Sequence, residues 1–293
     1  MSLLESIIMG LIQGLTEFLP VSSSGHLAIF KQLFEIEEPG IFFDILLHIG
    51  TLLAVFAVYY KDIFKLITEG IGILADIGRN IGIFFRNITG GKDGRMPYHH
   101  VVNSSYRKLV VLILVSTIPT GVIGIAAKDL VEMSTQLLIV PGICLIITAV
   151  LLFIADHVPD GGKVPRNVTY TNAFIVGICQ GLATLPGLSR SGTTITACLL
   201  NGYSRKFAVK YSFLMSIPAI LGALVLEIKD VDLAALSGGD VLNYAVGTIV
   251  AGIVGYICIK TMLVVVKKKK FTIFSIYCLI IGIICIGSYV YLA

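Results

Sequence analysis

A helix that crosses a hydrocarbon core of about 30 Å needs about 20 mostly apolar residues. Six stretches of the chain meet that condition: Phe42–Tyr60, Leu109–Ala127, Gln136–Ala155, Phe207–Leu226, Val241–Val264 and Phe271–Leu292. Two others, Ser2–Phe34 and Thr171–Tyr203, are apolar but broken near the middle. The first breaks at Pro20-Val21-Ser22-Ser23-Ser24-Gly25, the second at Pro186-Gly187-Leu188-Ser189-Arg190-Ser191-Gly192. Each half is only about 12–18 residues, too short to cross alone, and the pattern predicts two re-entrant helical hairpins.

Lys61–Asn87 follows a different rhythm. Ile63, Ile67, Ile71, Leu74, Ile77, Ile81 and Phe84 recur at helical spacing, while Lys65, Glu69, Asp76, Arg79 and Arg86 fall largely elsewhere on the wheel. That predicts an amphipathic helix lying at the interface rather than a seventh span. Thr89–Arg107 is polar, contains Gly90-Gly91 and reads as a loop. Basic residues set the orientation. Lys61, Lys65, Arg79, Arg86, Lys92, Arg95, Arg107 and Lys108 lie between the first two full spans, and Lys267–Lys270 lie between the last two. These segments are expected on the cytoplasmic side. The acidic connections Lys128–Glu132 and Glu227–Asp240, with the C-terminus, then fall outside.

Composition agrees. Of 293 residues 56% are hydrophobic and 14% charged, against roughly 25% charged in an average soluble domain. There is too little polar surface to cover a body in water, which excludes a soluble enzyme, a disordered protein and a nucleic-acid binder. The net charge of +4 matters less than where the charges sit. Cys144, Cys179, Cys198, Cys258, Cys278 and Cys285 stand singly in apolar stretches, without metal or disulfide spacing. No cleavable signal peptide is expected, since the first apolar segment carries Glu5 and Glu17. With no Trp in the chain, an interfacial aromatic belt must come from Tyr and Phe.

An internal repeat organises the whole. At a constant offset of 167 positions Gly10 matches Gly177, Gln13 matches Gln180, Gly14 matches Gly181 and Leu15 matches Leu182. Ser22, Ser24 and Gly25 match Ser189, Ser191 and Gly192. Chance likeness between apolar segments would favour Leu, Ile and Val, whereas these matches are mostly Gln, Ser and Gly. The expected fold is an all-α polytopic membrane protein of about ten helices, six of them full spans. Repeat one occupies residues 1–155 and repeat two residues 171–293, each a hairpin followed by three spans. Three is odd, so the second repeat inserts inverted, and the hairpins meet near the midplane, where such proteins build their sites.

Ionisable groups at membrane depth are costly and mark function. Gln13 and Glu17, four apart, share a helix face; Ser22, Ser23, Ser24 and His26 follow on the first break. Arg190 sits between Ser189 and Ser191 on the second, with Thr193 and Thr194 beyond. A Ser- and Gly-rich turn leading into a helix start presents free N–H groups to an anion, and Arg190 adds a fork matched to phosphate oxygens. Ser22, Ser24, Ser189, Ser191 and Thr194 complete a phosphate-binding set. Glu17 and Gln13 offer oxygens to a hard cation, Mg²⁺ or Ca²⁺. His26 suits a general acid or base, or a nucleophile. A pocket of this kind in lipid points to phosphoryl chemistry on a lipid diphosphate. A transporter or flippase for an anionic lipid is the alternative, but a carrier has no need of a proton-transfer group. His48, within the first span, reads as a packed histidine, and His99-His100 as solvated.

The segments Gln13-Gly14-Leu15-Thr16-Glu17-Phe18-Leu19-Pro20-Val21-Ser22-Ser23-Ser24-Gly25-His26 and Pro186-Gly187-Leu188-Ser189-Arg190-Ser191-Gly192-Thr193-Thr194 resemble the motifs of the undecaprenyl-diphosphate phosphatases, integral membrane enzymes of the bacitracin-resistance type. The resemblance covers nearly the whole chain. It implies release of the terminal phosphate of undecaprenyl diphosphate for carrier recycling in cell-wall synthesis, with dependence on a divalent cation. It also implies a site opening to the outer face of the bacterial plasma membrane. By the same resemblance Glu17 and Gln13 handle metal or water, Ser23 and His26 act as nucleophile or acid/base, and Arg190 clamps phosphate. Gln13 stands where many relatives have Glu, which makes it a neutral oxygen ligand. A polyprenyl diphosphate and bilayer lipids are the expected partners; nucleic acid is not, and a homodimer is compatible with the chain.

Overall fold

The computed structural model describes residues 1–34, 41–89, 95–135, 137–227 and 238–292. Among them all regular structure is helical, apart from one β-bridge between Lys163 and Tyr203. Eleven α-helices follow in order: α1 Leu3–Phe18, α2 Ser23–Leu33, α3 Ile41–Thr89, α4 Ser105–Ala126, α5 Lys128–Thr135, α6 Ile139–His157, α7 Tyr170–Leu182, α8 Arg190–Leu200, α9 Arg205–Glu227, α10 Gly238–Lys267 and α11 Thr272–Leu292. Six of these, α3, α4, α6, α9, α10 and α11, are long and apolar enough to cross a bilayer. The protein is an all-α, multi-pass membrane protein.

The two interrupted segments fold as pairs of short helices, α1 with α2 and α7 with α8, and the partners in each pair pack on one another. Their 16, 11, 13 and 11 residues rise only about 17–24 Å at 1.5 Å per residue. Leu19 and Pro20 end α1, since proline withdraws a donor and turns the preceding residue away from helix. Ser22 reopens the chain as α2 at φ 70°.

Where the expectation separated a span from an amphipathic helix, the structure has one element. α3 runs 49 residues with non-helical dihedrals only at Tyr59 (φ −107°, ψ 20°), so the two parts join at a kink. The polar segment after it is not a free loop. Asn80 exchanges two hydrogen bonds with the backbone of His99 (2.9 and 2.7 Å), and Asn87 two with that of Met96 (both 2.9 Å). Seven helical residues rise about 10.5 Å and three extended ones span about 10 Å, so the two asparagines match the strand's spacing and hold it along α3. The acidic connection 128–132 is also helical, as α5, which makes eleven helices rather than about ten. The other one, beyond Glu227, lies mostly outside the described residues.

Packing is reciprocal between the halves. α1 of the first half lies along α10 of the second, and α7 of the second along α4 of the first. Gly10 approaches the Gly247 backbone so closely that a Cβ would stand 2.3 Å from its carbonyl oxygen, and Gly14 meets Ala251 and Val254. Gly177, the counterpart of Gly10, would place a Cβ 2.2 Å from the Ser116 carbonyl oxygen, and Gly181 meets Ile123. Two small residues four apart thus let both hairpins sit backbone to backbone on a partner helix, the usual device where lipid supplies no hydrophobic drive. Ser116 and Thr120 of α4 add hydrogen bonds to the Ala173 and Gly177 carbonyls (2.9 and 2.8 Å).

These contacts make a contrast measurable. Gly10→Leu or Gly177→Leu must displace backbone and is expected to cost at least about 1–3 kcal/mol, read as a lower unfolding temperature in detergent. Gly78→Ala, whose Cβ would meet nothing within 4 Å, is expected to stabilise α3 by up to about 1 kcal/mol. Equal effects at the two kinds of site would contradict the packing described.

Candidate active site

Ser22 caps α2: its side chain accepts from the Gly25 N–H and lies 3.4 Å from the Ser24 hydroxyl. Ser189 caps α8 in the same way, accepting from the Gly192 N–H (3.1 Å) with the Ser191 hydroxyl at 3.4 Å. The same side-chain cap thus recurs at the offset of 167, on a different backbone, φ 70° at Ser22 and −63° at Ser189. The two copies touch. A Cβ on Gly25 would stand 2.8 Å from the Gly187 Cα, and Gly187 itself, at φ +90°, leaves no room for one against Pro141. The starts of α2 and α8 converge, and with them two sets of unpaired N–H groups that favour an anion.

Glu17 is the hub of what lies between. One carboxylate oxygen accepts from Ser23 Oγ (2.6 Å) and Gln13 Nε2 (3.1 Å). The other is paired with the Arg190 guanidinium of the opposite hairpin. The Glu17 side chain is 4% exposed and that of Arg190 22%, so the arginine is the member nearer the opening. Gln13 is fully buried, and its carbonyl oxygen has no hydrogen-bond partner. That orphaned oxygen beside a carboxylate fits a hard cation, which tolerates a neutral oxygen ligand and keeps waters and phosphate oxygens for its remaining positions.

The structure thus brings Gln13, Glu17, Ser23 and Arg190 into one connected group, framed by Ser22, Ser189 and Ser191. Ser24 is exposed at the rim. Thr194 is engaged elsewhere: its hydroxyl bonds to the Arg190 carbonyl (2.8 Å) and to Ser212 (2.6 Å), which steadies the first turn of α8. His26 does not meet Ser23. Its Nδ1 is 2.8 Å from the Ser22 carbonyl and its Nε2 2.7 Å from the Tyr277 hydroxyl of α11. Tyr277 lies 251 positions away in an unbroken apolar span, where nothing in the sequence pattern marks it. His48 donates from Nδ1 to the Asp44 carbonyl (2.8 Å), as a packed histidine does. His99 is exposed, though its backbone is fixed by Asn80.

Each break is braced from the other half. Thr148 of α6 donates to the Gly187 carbonyl and accepts from the Ser189 N–H, both at 3.0 Å. Cys278 of α11 reaches the Pro20 carbonyl at 3.8 Å.

Comparison with known proteins shows what the chain is similar to. A family model described as bacitracin resistance protein BacA matches residues 6–284. An undecaprenyl-diphosphatase of Alkaliphilus metalliredigens is 42% identical over 287 residues, 98% of each chain. Another, of Methanosphaera stadtmanae, is 41% identical over 286 residues, again 98% of each. Undecaprenyl-diphosphatase 4 of Bacillus thuringiensis is 37% identical over 286 residues, covering 98% of this chain and 97% of its own. With both motifs inside a match of this extent, the chain belongs to the BacA family.

Proposed function

We propose that the protein hydrolyses undecaprenyl diphosphate to undecaprenyl phosphate and inorganic phosphate, in the bacterial plasma membrane with the site opening to its outer face. The activity would return the lipid carrier to cell-wall synthesis and confer resistance to bacitracin. The substrate comes from the names of the relatives. The chemistry rests on one observation: the Ser23 hydroxyl donates at 2.6 Å to a carboxylate whose other oxygen is held by Arg190.

In this reading the terminal phosphate draws the Arg190 guanidinium from Glu17 and takes the free N–H groups at the starts of α2 and α8. This frees the Glu17 oxygen that Arg190 had occupied. Ser23 Oγ attacks the terminal phosphorus as its proton passes to Glu17, and the bond to the bridging oxygen breaks. Glu17 returns the proton to the departing undecaprenyl phosphate. Water then attacks the phosphoserine through the same carboxylate, which moves the water proton to Ser23 Oγ and frees phosphate. A divalent cation, Mg²⁺ or Ca²⁺, held by Gln13 and Glu17 would supply charge neutralisation at the phosphate oxygens. His26, three residues beyond Ser23 on α2, is the second group able to move a proton.

The membrane placement follows the same reasoning. Tyr106 and Arg107, adjacent at the start of α4, reach Asp62, Glu69 and Asp76 of α3. Those acids spread over about 21 Å of helix, which supports a crossing of the two helices rather than a parallel run. A span meeting the second part of α3 crosswise leaves that part along the interface. Its Phe64, Ile71 and Leu74 are more than 60% exposed, an apolar face for lipid.

Two measurements test this. In detergent with a C15 or C55 prenyl diphosphate and Mg²⁺, phosphate release should fall at least about 10²-fold in Arg190→Ala and in Ser23→Ala. Chelation should abolish it. Substrate that binds without releasing phosphate under any cation would sink the enzyme and favour a carrier. Because the chain has no Trp, Leu74→Trp provides a single tryptophan, excited selectively at the red edge beyond tyrosine absorption. Its emission should be quenched by brominated lipids in bilayers, and quenching by acrylamide alone would place the face in water.

A further inference from the structure

His26 has one nitrogen committed. A carbonyl oxygen only accepts, so the 2.8 Å contact to Ser22 fixes the hydrogen on Nδ1 and leaves Nε2 as the nitrogen that changes protonation. That nitrogen faces the Tyr277 hydroxyl at 2.7 Å. The rings are nearly parallel, with 9° between planes and centroids 5.6 Å apart. Tyr277 differs from the phenols this protein uses as filling. Tyr59 and Tyr203 are buried and their hydroxyls have no partner, whereas Tyr277 is 40% exposed and directs its hydroxyl onto the imidazole.

A phenol is suited to that place because it both donates and accepts. While Nε2 is bare, the Tyr277 O–H donates to it. Once Nε2 carries a proton, the hydroxyl turns and its oxygen accepts. One contact thus serves both states of the ring, and the imidazole need not swing away when its proton is exchanged. The neighbouring Cys278 touches Pro20 independently, so α11 stays seated on the break without this hydroxyl.

We propose that Tyr277 is a positioning residue for His26, keeping aligned through the reaction the Nε2 that the Ser22 contact leaves bare. The proposal rests on the reading of His26 as a proton-transfer group. Tyr277→Phe keeps the stacked ring and removes only the hydroxyl. Phosphate release from a C15 prenyl diphosphate should show kcat reduced about tenfold or more, within the 10²–10⁴ that such a group contributes, and KM changed less than about twofold. A second readout needs no turnover. Full-length protein labelled with ¹⁵N-histidine, with the His26 signal assigned by its loss in His26→Ala, should show the Nδ1–H tautomer in the native chain. In Tyr277→Phe the tautomer should stay, because the Ser22 carbonyl still holds Nδ1–H, and the Nε2 resonance should shift with the loss of its hydrogen bond. A native His26 found as the Nε2–H tautomer overturns the proposal. So does a Phe variant with unchanged kcat and unchanged ¹⁵N pattern. If the native protein releases no phosphate, the hydrolase reading fails, and the ¹⁵N comparison still decides the role of Tyr277.

Discussion

The Glu17–Arg190 pair is the constraint on which the rest of the structure turns. Each member is badly placed alone. Glu17 stands in the last turn of α1, where the helix dipole is negative, and Arg190 opens α8, where it is positive. Both are at the depth of an apolar body, and removing one partner of such a pair strands the other at about 3–5 kcal/mol. They are tolerable because two hairpins 173 positions apart in sequence bring them together. The pair therefore joins the two hairpins at the place where the starts of α2 and α8 converge.

Holding two broken segments tip to tip requires rigidity from outside, because neither break has a ladder of its own. The protein obtains it by exchange between its halves. α10 receives α1 through Gly10 and Gly14, and α4 receives α7 through Gly177 and Gly181. Thr148 braces the second break and Cys278 the first. No hairpin is supported mainly by its own half. Separating the halves would disassemble both breaks at once, so the fold and the site stand or fall together.

This explains what could be read in advance. Spans, breaks and the connected group of Gln13, Glu17, Ser23 and Arg190 were legible, since each announces itself locally as a long apolar run, a Pro-Ser-Gly interruption or a polar residue where lipid forbids one. Three features were not. The join of span and amphipathic helix at Tyr59 is silent because no proline or glycine marks a one-residue kink. The strap held by Asn80 and Asn87 depends on a match between helical rise and extended chain that appears only when both are laid side by side. Tyr277 meets His26 across 251 positions, and a tyrosine near the end of an apolar span reads as an interfacial anchor. Nor does spacing say where the two side chains turn: Ser23 and His26 are three apart on α2, and the hydroxyl meets Glu17 while the imidazole meets Tyr277.

The offset of 167 finally separates positions that recur in the two breaks from positions that do not. The caps are kept: Ser22, Ser24 and Gly25 in one copy, Ser189, Ser191 and Gly192 in the other, because both breaks must restart a helix and present its N–H groups. The reactive positions are not. Glu17 corresponds to Thr184, Ser23 to Arg190 and His26 to Thr193. With two copies of the first break Glu17 would face a serine in place of Arg190 and stand without its cation at a depth where that is costly. Divergence removes that cost and yields a division of labour. One hairpin holds the carboxylate, the hydroxyl and the imidazole; the other holds the guanidinium paired with that carboxylate. The caps are alike on the two sides, whereas Glu17 and Arg190, which face one another between them, are not, and that difference is what lets the two hairpins pair.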